Sequence, residues 1–198
     1  MTEREAAPGG LGLVQAFVNT AEIDEDKDDL TTPDQLRGWL VDRGVAPPDL
    51  SISQEQVEGA LALREAVRGL LLANNGGRLY PVDLATLNQA AQRSGLRVRF
   101  LPDGSGRLEP GAAGFEGALG WILAGIFTAM AEGNWGRLKA CLMHTCRWAF
   151  YDRSKNRSST WCNMAVCGSR TKARNYRQRH RAGAQPASVE PSSTPPTQ

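Results

Sequence analysis

Four cysteines, all within a 27-residue window, constrain this chain more than any other feature of its 198 residues. They fall at Cys141, Cys146, Cys162 and Cys167, a C-x4-C-x15-C-x4-C pattern of two equally spaced pairs. Zinc takes soft ligands in a tetrahedron, and two thiolates a few residues apart let one turn deliver both to a single ion. The 15-residue gap is in the range of a four-cysteine zinc module. The gap reads as a hairpin, with "RWAFYD" strand-like, "RSKNRSS" a polar turn and "TW" the return to Cys162. A segment this small has little core, so metal binding supplies much of its folding free energy. The pattern therefore predicts one structural zinc ion per chain. Buried structural thiols explain such confinement less well, and the C-x-x-C beside a βαβ pattern expected of a redox site is absent. A catalytic zinc keeps one position open, which four cysteines would fill. His144, between the first two cysteines, is the alternative to one of the thiolates.

The same region is the basic part of the chain. Residues 1–136 carry 11 Lys and Arg against 19 Asp and Glu, net −8, whereas residues 137–181 carry 12 against the single acid Asp152, net +11. Opposite signs in two halves predict two jobs. After the last cysteine come Arg170, Lys172, Arg174, Arg177, Arg179 and Arg181, on several faces of a predicted helix whose Ala173 and Tyr176 pack back on the module. The hairpin adds Arg147, Arg153, Lys155 and Arg157. Such a patch attracts phosphates, with strong salt dependence, so nucleic acid is the first partner to consider. An acidic protein surface and a merely solubilising face are the alternatives. Arg170, next to the Cys167–Gly168 turn, is expected to support the metal site, and Arg174 and Arg177, one turn apart, to reach one groove. Trp148, Phe150, Tyr151 and Trp161 read as a miniature core or as platforms for unpaired bases.

Most of the first 136 residues have helical periodicity. Leu13, Val14, Phe17 and Val18 share a face, and the acidic run "EIDEDKDD" after them reads as a solvated loop. Thr32, Pro33 and Gln35 make a capping box with Gly44 as terminator, and Ser53 with Gln56 makes a second, followed by the stripe Val57, Leu61, Val67 and Leu71. Pro81 and Gly95 bracket another helix, with Leu84 and Leu87 inward. "LRVRFLPDGSGRLEP" alternates about a turn signal and predicts a hairpin. Phe115, Leu119, Ile122, Ile126 and Met130 mark the most apolar helix. The expected fold is mainly α: a helical N-terminal domain with a small β-hairpin over residues 11–136, then a four-cysteine zinc finger of hairpin plus basic helix over 137–181. A disordered tail rich in Pro and Ser is expected over 182–198.

Enzyme classes fit poorly. His144 and His180 lie in the zinc module and the basic helix, leaving no Ser-His-Asp arrangement, and "NNGGR" and "GGLG" sit outside any phosphate-cradling motif. No unbroken apolar stretch approaches the roughly 18–20 residues of a membrane helix. "MTEREAAPGG" lacks the apolar centre of a signal peptide, which together with clustered reduced thiols predicts a cytoplasmic location without membrane partners.

"CRWAFYDRSKNRSSTWCNMAVCGSRTKARNYRQR" closely resembles the CGNR zinc finger, in which W-C-x-M-x-x-C-G-N-R precedes a basic helix. "FVNT", "LRGWL" and "LALREAVRGLL" resemble the ABATE domain that commonly precedes that finger, so the likeness spans about Leu11 to Arg181. Ser169 stands where the finger usually has Asn, and serine also bonds local backbone, so the turn is expected to survive. The resemblance implies a stress-related transcription regulator, double-stranded DNA in preference to RNA, and a ligand-binding first domain with a small-molecule effector. Asn19, Thr20 and Arg64, polar groups in apolar surroundings, are its candidate ligand contacts. Capping for the first two, and an ion pair of Arg64 with an acid such as Glu22, are the structural alternatives. An RNA- or protein-binding adaptor using the same basic face is the alternative function, and a homodimer is compatible with either.

Overall fold

Reciprocal hydrogen bonds start the two helices for which the sequence spells a capping box. In the computed structural model, which describes residues 5–182, Ser53 Oγ accepts from the Gln56 N–H at 3.2 Å and Gln56 Oε1 accepts from the Ser53 N–H at 2.9 Å. This pair opens α3 (Gln54–Ala73), and Thr32 with Gln35 does the same for α2 (Pro33–Asp42). Each box satisfies N–H groups that a helix start leaves without partners. Gly95, at φ +57°, ends α4 (Pro81–Ser94) in a left-handed conformation that costs a residue with a Cβ roughly 1–2 kcal/mol.

The apolar face of α3 is buried as Val57, Ala60, Leu63, Val67 and Leu71, with Leu61 half-buried. It packs with Val14, Phe17 and Val18 of α1 (Leu11–Val18), Leu36 and Leu40 of α2, and Phe115, Leu119, Ile122 and Ile126 of α5 (Gly114–Ala131) in one continuous core. Among the described residues, α5 is the helix whose length and composition would suffice to cross a membrane. Ten of its residues are buried in this core, the burial expected of a central helix that is apolar nearly all round.

Several elements differ from their sequence reading. The acidic run is not wholly a solvated loop. It forms β1 (Ala21–Glu22) and β2 (Lys27–Asp28), an antiparallel pair turned by Asp26 at φ +52°. Leu84 and Met130 were expected inward and are 44% and 43% exposed, because α4 buries a narrow stripe around Leu87 and the last turn of α5 leaves Phe127 and Met130 outside the core. The expected hairpin forms from β3 (Arg97–Phe100) and β4 (Gly106–Glu109), but Val98 and Phe100 face solvent. Its buried side chain is Glu109, held between Arg97, Arg99 and Arg107, with Arg107 over the Trp121 ring of α5.

The chain divides after Cys162 into two compact units. The first also contains β5 (Leu138–Ala140) and β6 (Ala149–Tyr151), whose Leu138, Ala140 and Ala149 join the helical core. The hairpin of the 137–181 segment is thus built onto the helices. The second unit comprises a wide helical turn, Met164–Gly168, running into α6 (Ser169–Ala182). Residues 183–198, nearly all of the expected tail, lie outside the described residues.

Truncating Ile122, fully buried in α5, is expected to cost about 2–5 kcal/mol as Ile122→Ala in urea unfolding. Val98→Ala on the exposed face of β3 should stay within about 0.5 kcal/mol of wild type.

Candidate metal centre and basic helix

The first two cysteines close a hairpin. β5 pairs antiparallel with β6 in the register Leu138↔Tyr151, Lys139↔Phe150 and Ala140↔Ala149, and Cys141 follows at once. The Cys141 N–H donates to the Trp148 carbonyl at 2.9 Å, and the Cys146 and Arg147 N–H groups both donate to the Met143 carbonyl. Arg147, at φ +54°, completes the knuckle. The strand in "RWAFYD" therefore pairs with Leu138–Ala140 instead of the "TW" segment. That register puts Leu138, Ala140 and Ala149 into the helical core. The segment before Cys162 instead runs alongside, with Thr160 accepting from the Leu142 N–H at 3.2 Å.

Beneath the polar turn sits a buried ion pair. Lys139 Nζ meets Asp152 Oδ2 at 2.7 Å, with 6% and 0% of the two side chains exposed. The Lys139 ammonium also donates to the Arg157 and Ser159 carbonyls, and Asp152 accepts from the Ser154 and Ser159 N–H groups. Burial alone would raise the Asp152 carboxyl, but hydrogen bonds from Lys139 and Ser154 outweigh it and hold it well below the usual carboxylate range. The single acid of the basic segment thus shapes the loop leading to Cys162.

Cys167 is delivered by the wide turn, where its N–H donates to the Asn163 carbonyl and Asn163 Oδ1 caps the Val166 N–H. Ser169, in place of the usual Asn, reaches the Met164 carbonyl at 3.5 Å, and the turn persists. The four Sγ atoms lie within 4.8 Å of one another, Cys146 and Cys162 at 3.6 Å, and none of the four is in a disulfide. A tetrahedral zinc with Zn–S near 2.3 Å separates its sulfurs by about 3.8 Å. The donor set and its spacing fit one structural zinc ion held by Cys141, Cys146, Cys162 and Cys167, with no position left open. His144, the alternative ligand, is exposed and outside this group. Hydrogen bonds from Cys146 and Cys162 draw the Cys141 thiol down to about 2, while sharing with Cys141 pushes Cys146 up to about 12 and Cys162 upward too. A divalent cation makes four adjacent thiolates compatible, so zinc uptake releases protons.

Side chains of the helical body hold the loops that carry three of these ligands. Asn75, just past α3, donates from one amide nitrogen to the Ala140 carbonyl at 2.8 Å and the Thr160 carbonyl at 2.9 Å. Asn74 does the same for Trp135 and Leu138, and Gln15 for Ala149. Arg68 donates to the Arg147 carbonyl at 3.0 Å and the Val18 carbonyl at 2.8 Å. No distinctive local signal marks these roles: Asn is common after helices, and arginine in a helix reads as solvated.

The candidate ligand contacts separate. Asn19 pairs both its amide atoms with the Ala149 backbone, at 2.9 and 2.7 Å. Thr20 and Arg64 come together, with Arg64 Nη1 donating to the Thr20 hydroxyl, which itself donates to the Phe17 carbonyl. The acids that pair with Arg64 are Asp28, bidentate at 2.8 and 2.6 Å, and Glu65 at 3.0 Å, rather than Glu22. A groove beside Asn19 and Thr20 is lined also by Trp39, Arg43 and Trp148.

The basic residues fall in two sets. On the hairpin, Lys155 and Arg157 are exposed, Arg147 is half-buried, and Arg153 pairs with Glu5 at 3.0 Å and lies over Tyr151. On α6, Arg170, Lys172, Arg177 and Arg179 are exposed and Arg174 is half-buried. The Arg181 side chain lies outside the described residues. Ala173 and Tyr176, expected to pack inward, are exposed, and the Tyr176 ring lies 4.1 Å from that of His180. Helical spacing puts Arg170, Arg174 and Arg177 on one face.

A family model named ABATE and described as "Putative stress-induced transcription regulator" matches residues 11–133. The CGNR zinc finger model matches residues 137–180. No curated protein matches the chain.

Asp152→Ala strands the Lys139 ammonium in a buried site and is expected to cost about 3–5 kcal/mol, measured by chemical denaturation. The paired replacement Lys139→Met with Asp152→Leu should cost much less. Because the Asp152 carboxyl is depressed in the folded state, its contribution is present above the unfolded value of about 4 and is lost as pH falls below it.

Proposed function

The chain belongs to the ABATE family and carries a CGNR zinc finger over residues 137–180, and on that premise we propose that it is a sequence-specific, double-stranded-DNA-binding transcription regulator. Its role is non-catalytic and cytoplasmic, and its N-terminal domain senses a small-molecule effector. The observation that carries this reading is α6, a helix with six basic residues and no acid that starts two residues after a zinc ligand. A helix of this kind fits the major groove, where arginine makes bidentate contacts to guanine, while the remaining cations meet phosphates. Zinc fixes the turn from which the helix starts, so the readout depends on the metal without involving it in chemistry.

Selection from random duplex DNA with zinc-loaded protein is expected to enrich a defined motif. The symmetry of that motif reports whether the protein binds as a homodimer. Tighter binding to structured RNA, or to protein alone, would establish the adaptor role and overturn this one. Arg174→Ala or Arg177→Ala should narrow the gap between preferred and random DNA by about 1–3 kcal/mol. Arg170→Ala should instead lower zinc retention.

A further inference from the structure

A groove of about 500 Å³ runs along α5 in the helical body, away from the zinc ligands in sequence and lined by Leu13, Val45, Leu108, Trp121, Ala124 and Thr128. Its walls are apolar, and the volume is in the range of small-molecule sites. Arg107 and Trp121 also line an adjoining recess of about 360 Å³, together with Arg99 and Glu109. The electrostatics at that end are unbalanced. Among the described residues Glu109 is the one acid paired with Arg97, Arg99 and Arg107, at 3.5, 3.6 and 3.0 Å, so three guanidinium groups share one carboxylate. The three arginines are half or more exposed whereas Glu109 is buried, so their remaining donors are open to a solute. This surplus of two positive charges occurs in a segment, residues 1–136, whose net charge is −8.

An apolar channel ending on surplus guanidinium groups suits a ligand with an apolar body and one anionic head. We infer that the groove binds a small amphipathic carboxylate, its body against Trp121 and Leu108 and its carboxylate on Arg107 and Arg99. The inference rests on the reading of the N-terminal domain as a sensor and names the site and ligand class that reading lacks. It also moves the site away from Asn19, Thr20 and Arg64, whose polar atoms are engaged within the chain.

Isothermal titration of the zinc-loaded full chain with octanoate, 2-naphthoate and uncharged octanamide tests it. One carboxylate per chain is expected to bind, and whichever of the two binds more tightly shows whether the body is aliphatic or aromatic. The amide should bind at least about tenfold more weakly, the worth of a charge-assisted hydrogen bond. Arg107→Gln should weaken carboxylate binding by a similar factor, and Thr128→Phe, which fills the exposed rim, should block it with the thermal midpoint unchanged. Absence of binding by both carboxylates, equal binding of the amide, or indifference to both substitutions overturns the site. DNA affinity measured with and without the bound carboxylate separates the two claims. Binding without any effect on DNA supports the site and removes this ligand as the effector.

Discussion

One side-chain amide joins the two stretches of chain that bring the first and third thiolates together. Asn75 sits at the end of α3 and bonds the carbonyls of Ala140 and Thr160, next to Cys141 and two residues before Cys162. Around it, Asn74, Gln15 and Asn19 satisfy backbone groups of the β5–β6 hairpin much as a neighbouring strand would. A two-stranded hairpin is marginal alone and leaves edges unpaired. Here the helical body supplies both the missing donors and the core beneath Leu138, Ala140 and Ala149. Zinc and the body thus divide the work of ordering a segment too small to order itself.

A second line of contacts reaches the knuckle at Cys146. Asp28 holds Arg64, Glu65 bonds both Arg64 and Arg68, and Arg68 donates to the carbonyl of Arg147, whose left-handed backbone follows Cys146 directly. Arg64 and Arg68 are 4% and 3% exposed, so each depends on its partners to offset lost hydration. The β1–β2 hairpin, α3 and the first metal knuckle therefore share one polar network.

The sequence made some features plain because they rest on local chemistry. The cysteine spacing, the capping boxes at Thr32 and Ser53, the α3 face and the β3–β4 turn are each set by residues within a turn or two. What it left hidden depends on distant partners. Asp28 is one acid in a run of five acids around Lys27, and nothing local marks it as the partner of Arg64 across 36 residues. Lys139 and Asp152 read as surface charges until β5 pairs with β6 and buries both. The strand at Ala149–Tyr151 pairs with Leu138–Ala140 and not with the "TW" segment, because that register puts apolar residues on the helices. Leu84 and Met130 fit a helical stripe yet face water, since periodicity fixes a face but not its width.

The dependence of the zinc site on the helical body is tested most directly by the zinc affinity of Asn75→Ala, measured by chelator competition at fixed pH with helix content followed in parallel. Loss of the amide leaves the Ala140 and Thr160 carbonyls without that donor, and affinity is expected to fall by about tenfold or more while the helices persist, as for other groups that orient metal ligands indirectly. Unchanged zinc affinity in a folded Asn75→Ala protein would contradict the dependence and show that the cysteine loops order themselves around the metal unaided.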